Sequence, residues 1–483
     1  METAAETTTH IALVSVPAFT HQVSILEFAK RLLHLCNNNN NNFYITCIIP
    51  TLGSPSIASK PFFDALPPNI HCIFLPSPRY DDLNGVSVEI QLQLSVSRSM
   101  PYVTDTLRSL TDTTNVVALV SDAMVPEALE FGKKLNILSY IFFPCSTMLL
   151  SLCLHSPNLD QQVSCEYRDH PRLIEIPGCI SVCGLDLPNS VQDRSSLDYK
   201  LFLQRCQRFR GCHDGILVNS FTEMELEATK AISQQGNGNY PPVYPIGPII
   251  QTRSSPTKSG CECLLWLDKQ PPNSVLYVSF GSGGTLSQEQ INELALGLEL
   301  SRHKFLWVNF RAPNDRASAT YFSDAHLMDD PLHFLPLGFL ERTKGQGLVM
   351  CGWAPQVEVL GHRSIGAFLS HCGWNSVLES VVHGVPMLAW PLFAEQRTNA
   401  ALVTNGLKVA VRPKVNTSGN SVVAKEEVVS LIKSLMEGLE GEEIGTRMKV
   451  LQKFAACAVM EDGSSTKTIL KLAHKWKSLA TPY

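Results

Sequence analysis

The sequence predicts an α/β protein built from two doubly wound domains, and three observations predict it. Short apolar, β-branched runs alternate with stretches of helical periodicity in both halves of the chain, the pattern of parallel sheets with helices on both faces. A proline-rich, extended stretch, YPPVYPIGPII from Tyr240 to Ile250, separates the two halves. The 483 residues also exceed what one ordinary core organises. The expected division is a first domain over 1–240, a linker over 241–255, a second domain over 256–460 and a C-terminal helix over 461–483 that packs back toward the first domain. The two domains are expected to face each other across a cleft.

In the first half, HIALVSVP (His10 to Pro17) is the opening strand, and Phe19 to Leu35 follows with helical spacing. The asparagine run Asn37 to Asn42 reads as a polar surface loop, Tyr44 to Ile49 as the second strand and Cys72 to Leu75 as a third. VVALVS (Val116 to Ser121) is another buried strand, ending at Asp122; PEALEFGKKLN is helical and SYIFFP returns to the sheet. ILVN (Ile216 to Asn219) closes this half. The second half repeats the plan. Ser274 to Phe280 is a strand, Gly281 to Gly284 a glycine-rich turn, Ser287 to Leu300 a helix and Lys304 to Val308 a strand. Residues 311 to 336 are polar and irregular, a long loop. Leu348 to Cys351 and Leu407 to Val411 are further strands, and the end of the chain is helical over Lys425 to Met436, Ile444 to Met460 and Thr466 to Leu479.

The span from Trp353 to Gln396, WAPQVEVLGHRSIGAFLSHCGWNSVLESVVHGVPMLAWPLFAEQ, concentrates the chemically pointed residues. Its centre runs from a strand (Gly366 to Ser370) through His371, Cys372 and Gly373 into an amphipathic helix that stops at Gly384 and Pro386. The first turn of such a helix has N–H groups without intrahelical acceptors and carries the positive end of the helix dipole, so it attracts anions such as phosphate. Asn375 and Ser376 stand there, with His371 just before them.

A hydrophobic content of 44% with 17% charged residues describes a globular chain, and a net charge of −5 without a basic stripe argues against nucleic acid or anionic membrane as partner. Fifteen cysteines, in apolar contexts such as Cys47, Cys72 and Cys457 and without paired CxxC spacing, read as buried reduced thiols; only Cys261 and Cys263 lie close together. METAAETTT lacks the features of a signal peptide, and no apolar run reaches the ~18 residues of a membrane span. Asn416-Thr417-Ser418 matches a glycosylation sequon but reads as a surface turn. The expectation is a cytoplasmic monomer.

The box, with its WAPQ opening, HCGWNS centre and EQ ending, resembles the donor-binding signature of plant UDP-glycosyltransferases. The likeness extends to YIFFP, IPGC, GILVNSF, WLDKQPPNSVLYVSFGSGGTLSQEQINELALGLELS and DPLHFLPLGFLERT, which look most like the hydroquinone glucosyltransferase (arbutin synthase) branch. The resemblance implies the GT-B fold of two Rossmann-like domains and UDP-glucose as co-substrate, with no cofactor or metal. It assigns Trp353 to stacking on uracil, the Ala354 backbone to the uracil edge, and Gln356 and Glu379 to the ribose hydroxyls. His371, Asn375, Ser376 and Ser282 are assigned to the diphosphate, and Trp374, Glu395 and Gln396 to the sugar, a terminal glutamine accompanying glucose. Each residue has a packing alternative taken singly; as one ordered set they favour the functional reading. His362 and His383 keep the structural reading.

For catalysis the resemblance assigns His21, in the loop after the first strand, as the base that takes the proton of a phenolic hydroxyl, with Asp122 orienting it. Direct displacement inverts the sugar's α linkage to β. The loop departs from the family's PGxGH pattern followed by proline: PAFTHQVS has Ala18 and Thr20 at the glycine positions and Ser24 at the proline. Met124 stands where close relatives often have an aromatic residue. Glu89, Phe142, Phe143 and Phe393 are candidate acceptor-pocket residues, with a core role as the competing reading for the apolar ones. C-glucosylation of a polyphenol, and UDP-sugar or phenolic binding without turnover, are the alternatives. A nicotinamide oxidoreductase fares poorly, because GSGG after Phe280 lacks the GxGxxG spacing.

Overall fold

The computed structural model describes residues 8–36, 42–52, 60–77, 86–235, 240–251, 261–318, 330–414 and 422–480. The asparagine run over 37–41 and the sequon at Asn416 lie outside them. The chain divides into two compact units, one of Met1–Leu185, Ser190–Gln251 and Ala455–Tyr483, the other of Asp186–Asn189 and Thr252–Phe454.

The first unit is a seven-stranded parallel sheet in the order β3-β2-β1-β4-β5-β6-β7. Its strands are β1 (Thr8–Val14), β2 (Asn42–Ile49), β3 (Ile70–Phe74), β4 (Val116–Asp122), β5 (Leu138–Phe143), β6 (Ile216–Val218) and β7 (Val243–Pro245). Ile11, Leu13, Ile45, Cys47, Val120 and Phe142 point from these strands into a core that also takes Phe28 and Leu32 of the helix Phe19–Cys36 and Ile469, Leu472 and Trp476 of the helix Ser464–Lys477. Strand β7 corrects the linker reading. Val243–Pro245 pairs with β6, and Pro245 is tolerated because β7 is the edge strand, where a missing N–H costs no ladder bond.

The second unit is a six-stranded parallel sheet, β10-β9-β8-β11-β12-β13. Its strands are β8 (Val275–Ser279), β9 (Lys304–Trp307), β10 (Gly347–Val349), β11 (Ile365–Ser370), β12 (Met387–Ala389) and β13 (Ala410–Val411). In each sheet the strand order reverses about one pair, β1 and β4 in the first, β8 and β11 in the second. Ligands of doubly wound sheets bind at the carboxyl ends of the strands at such reversals. His21, Ser282 and His371 follow the carboxyl ends of β1, β8 and β11, and Asp122 is the last residue of β4.

Several long helices carry no clear signal in the sequence. Val88–Thr113 and Thr147–Gln162 contain Pro101 and Pro157 in their interiors, and each starts on a serine N-cap, Ser87 and Ser146, whose hydroxyl accepts from the backbone three residues on. Cys457, read as buried, is exposed. Among the described residues no helix is long and apolar enough to cross a membrane.

Candidate active site

In the second unit the box forms strand, turn and helix as its pattern requires. β11 ends at Ser370, the chain turns through His371 and Cys372, the latter at φ 63°, and the helix Trp374–His383 begins; Gly384 closes it at φ 71°. The left-handed turn at Cys372 is held by its N–H donating to Ser370 Oγ at 3.2 Å and its carbonyl accepting from Asn399 Nδ2 at 3.0 Å. Beside it, β8 runs into the Gly281–Gly284 turn. A Cβ on Gly281, whose φ is 73°, would stand 2.6 Å from the His371 ring, and one on Gly373 would stand 2.5 Å from its Nε2. The ring is therefore clamped between two glycines that nothing larger replaces. Burial pushes the His371 imidazole down to about 4, so it is neutral at physiological pH. Its Nδ1 is buried with no hydrogen-bond partner.

One turn along the same helix, Ser376 and Glu379 are tied to Gln356, which opens the short helix Gln356–Leu360. Gln356 Nε2 donates to Ser376 Oγ at 2.9 Å and to Glu379 Oε2 at 2.6 Å, and its Oε1 accepts from the Tyr277 hydroxyl at 3.2 Å. Burial raises the Glu379 carboxyl to about 7. Trp353 is 64% exposed, an apolar face standing in solvent, while the adjacent Ala354 is buried in the core under it. Trp374 is buried at 3% in the first turn of the helix Trp374–His383. Gln396 is also buried, and its Oε1 accepts the N–H groups of Leu392 and Phe393 at 2.9 and 3.0 Å, so the side-chain amide that remains is a donor. Glu395 precedes it and accepts from Asn399 Nδ2 at 3.3 Å.

In the first unit His21 and Asp122 meet. His21 Nδ1–H donates to Asp122 Oδ2 at 2.9 Å, and Asp122, fully buried at the end of β4, accepts the Met124 N–H on Oδ1 at 2.9 Å. A carboxylate only accepts, which fixes the tautomer and makes Nε2 the nitrogen that takes up a proton. His21 lies within the helix that the periodicity from Phe19 to Leu35 predicts, not in the loop before it where the family resemblance set it. It is the third residue of the helix Phe19–Cys36, and the Ala18 carbonyl accepts from both His21 and Gln22 N–H, at 3.0 and 3.1 Å. Ala18 is buried, and Ser24 Oγ donates back to the Thr20 carbonyl at 3.0 Å. With side chains at 18 and 20 the segment enters the helix directly.

Phe142 is a second correction. It is fully buried in the core of the first unit, its ring 5.8 Å from Phe28, and Phe143 packs on Phe209 at 5.9 Å. Side chains on a central parallel strand face a helix layer on either side, so neither lines a pocket. Glu89 lies half-buried in the first turn of the helix Val88–Thr113, and Phe393 is half-buried in the loop that Gln396 braces. His362 is structural as read, its ring bonded to Ser364 Oγ and Asp268.

Residues 239–436 match the model of the family described as UDP-glucoronosyl and UDP-glucosyl transferase. Over 475 residues the chain is 48% identical to the hydroquinone glucosyltransferase of Rauvolfia serpentina, covering 98% of this chain and 99% of that one. The chain belongs to the UDP-glycosyltransferase family. Two solved structures share its fold. The Polygonum tinctorium UDP-glucosyltransferase capable of glucosylating indoxyl, in complex with 3,4-dichloroaniline, has a TM-score of 0.88 and 42% identity, covering 98% of this chain and 100% of that one. UGT2 of Phytolacca americana, complexed with UDP-2fluoro-glucose and pterostilbene, has a TM-score of 0.86 and 39% identity, covering 97% and 99%. The fold of this glycosyltransferase is thus GT-B, with two Rossmann-like units.

Sequence reasoning missed two side chains of the glycosyltransferase that hold the glycine turn. Asn309 Nδ2 donates to the Gly281 carbonyl and Arg311 Nη2 to the Ser282 carbonyl, both at 2.6 Å. They lie in the irregular NFRAP run just beyond β9, which pairs with β8. The signal that points to them is positional: a cation one strand away from the switch-point turn, beyond a strand's carboxyl end.

Proposed function

We propose that this UDP-glycosyltransferase is an inverting glucosyltransferase that moves glucose from UDP-glucose to a phenolic hydroxyl of a plant small molecule, with His21 as general base. The observation that carries the mechanism is the 2.9 Å bond from His21 Nδ1 to the buried Asp122. It commits one ring nitrogen to a carboxylate and dedicates the other to the proton. The acceptor oxygen forms a bond to the anomeric carbon as that carbon's bond to the diphosphate oxygen breaks. The phenolic proton passes to His21 Nε2, and the imidazolium is stabilised by Asp122. UDP leaves from the opposite face, giving the β-glucoside. The donor is taken by Trp353 and Ala354 at the uracil, by Gln356 and Glu379 at the ribose, by His371, Asn375, Ser376 and Ser282 at the diphosphate, and by Glu395, Gln396 and the Trp374 backbone at the sugar. Neutral hydrogen-bond donors and a helix N-terminus serve the leaving diphosphate without a metal.

The acceptor class is supported by the similar proteins, named for hydroquinone and indoxyl and, in one complex, holding pterostilbene. Phe393 and Glu89 remain candidates for its pocket. Incubation with UDP-glucose and a panel of phenols, lignin precursors and flavonoids, with product identification, tests the reading. Donor binding without turnover on any acceptor defeats it, and products that resist acid hydrolysis point to C-glucosylation instead. His21→Ala is expected to lower turnover by about 10²–10⁴-fold while leaving UDP affinity nearly unchanged; full retained activity removes His21 as the base.

A further inference from the structure

Arg311 is a half-buried cation that has no counter-charge among the described residues. Its guanidinium hydrogen-bonds the Ser282 carbonyl at 2.6 Å and Asn309 Oδ1 at 3.4 Å, both neutral, and its Nε is buried with no partner. Among the described residues it makes no ion pair with a carboxylate, and desolvation alone depresses its basicity. A charge withdrawn from water without a partner costs free energy, and such a group is retained where something outside the chain satisfies it.

The location says what that is. Arg311 and Asn309 take two successive carbonyls of the glycine turn from the β9 side. Because each peptide is planar and trans, fixing the Gly281 carbonyl there turns the N–H group of Ser282 to the other face of the turn. The turn borders the His371 ring, as the 2.6 Å approach at Gly281 shows. His371 itself is neutral, so the hydrogen-bond donors around it bring no net positive charge.

We propose that Arg311 is a positioning residue for the donor's diphosphate. With Asn309 it holds the glycine turn so that the Ser282 N–H serves the anion, and it places behind that turn a positive charge for the diphosphate as UDP departs. This rests on the UDP-sugar reading of the site and identifies the source of charge in a centre whose histidine is uncharged.

The test is a calorimetric series with uridine, UMP and UDP on the full-length wild type, Arg311→Gln and Arg311→Lys. Glutamine keeps a donor for the Ser282 carbonyl and removes the charge; lysine keeps the charge and loses the planar fork. The expected result is a loss of about tenfold or more in UDP affinity for R311Q, a smaller loss for UMP and none for uridine, with R311K lying between R311Q and wild type. kcat with UDP-glucose falls along the same order. Equal losses for uridine and UDP in R311Q indicate that the turn has merely collapsed and overturn the proposal, as does an unchanged UDP affinity. If R311Q does not fold, the wild type alone decides. Its UDP affinity should fall with added salt while its uridine affinity stays flat, and a salt-independent UDP affinity removes the cation from the site. A wild type that binds no UDP at all defeats the underlying reading instead.

Discussion

Glu379 answers two demands that conflict. Burial lifts its carboxyl from the usual 4.5 to about 7, so the folded protein takes up a proton at a pH where the unfolded chain has released it. Its contribution to stability is therefore present in full below about 4.5 and is lost as the pH rises through about 7. A ribose diol asks for the opposite state, because two hydroxyl donors prefer an ionised acceptor. Glu379→Gln should then raise unfolding stability at pH 8 by about 2–3 kcal/mol in denaturant titrations, with little change at pH 4. UDP-glucose affinity should drop by at least about tenfold at pH 8. In the wild type, donor affinity should strengthen as pH rises from 6 to 8; calorimetry at several pH values checks this, and a flat profile excludes the carboxylate as the diol's acceptor. Asp122→Asn probes the other pair. An amide presents an N–H as readily as an oxygen to His21 Nδ1 and lacks the charge that the proposed imidazolium requires, so turnover should fall by orders of magnitude with UDP binding retained.

At the scale of elements, the two strand–turn–helix units differ in how plainly they are written. The box from Trp353 to Gln396 was legible in detail because its turn needs glycines at fixed places, its helix needs a stop at Gly384 and its polar residues follow in order. The His21 segment was legible as a helix from Phe19 by its periodicity, yet His21 itself was set in the preceding loop, because the family pattern places its histidine after glycines that Ala18 and Thr20 replace here. Strand β7 hid behind three prolines in YPPVYP, which read as a linker until the edge position explains them. The helices over Pro101 and Pro157 hid for the converse reason, a breaker inside an element that tertiary packing holds together. Asn309 and Arg311 were invisible because nothing periodic surrounds them; only the adjacency of β9 and β8 makes them neighbours of the glycine turn. The clamp on His371 yields a prediction of its own. Gly281→Ala forces a side chain into a left-handed backbone and into the ring, so it should cost about 1–2 kcal/mol of stability and weaken UDP binding more than uridine binding. Paired unfolding and titration curves measure both, and a variant with wild-type UDP affinity would show that the ring has room to move.

At the scale of the whole molecule, the first unit is not a continuous piece of chain. Its core includes Ile469, Leu472 and Trp476, and the Trp476 ring meets Tyr140 edge-on at 5.6 Å. Trp476→Ala should cost about 3–5 kcal/mol and be felt first as lost amide protection in β1, β4 and β5, with the β8 and β11 strands of the other unit protected as before. Hydrogen exchange read by mass spectrometry separates the two. Equal loss in both units would mean that they unfold as one.

This arrangement also sets an order of events during synthesis. The sheet of the first unit is made early, yet the helix that completes its core follows the whole of Thr252–Phe454. At ~5–20 residues per second the ribosome spends on the order of tens of seconds on the second unit in between. Throughout that interval Tyr140 of the first sheet, together with the face of the helix Phe19–Cys36 that later meets Ser464–Lys477, lacks its final cover. The second unit, in contrast, has all of its strands and the helices of its core made within that interval.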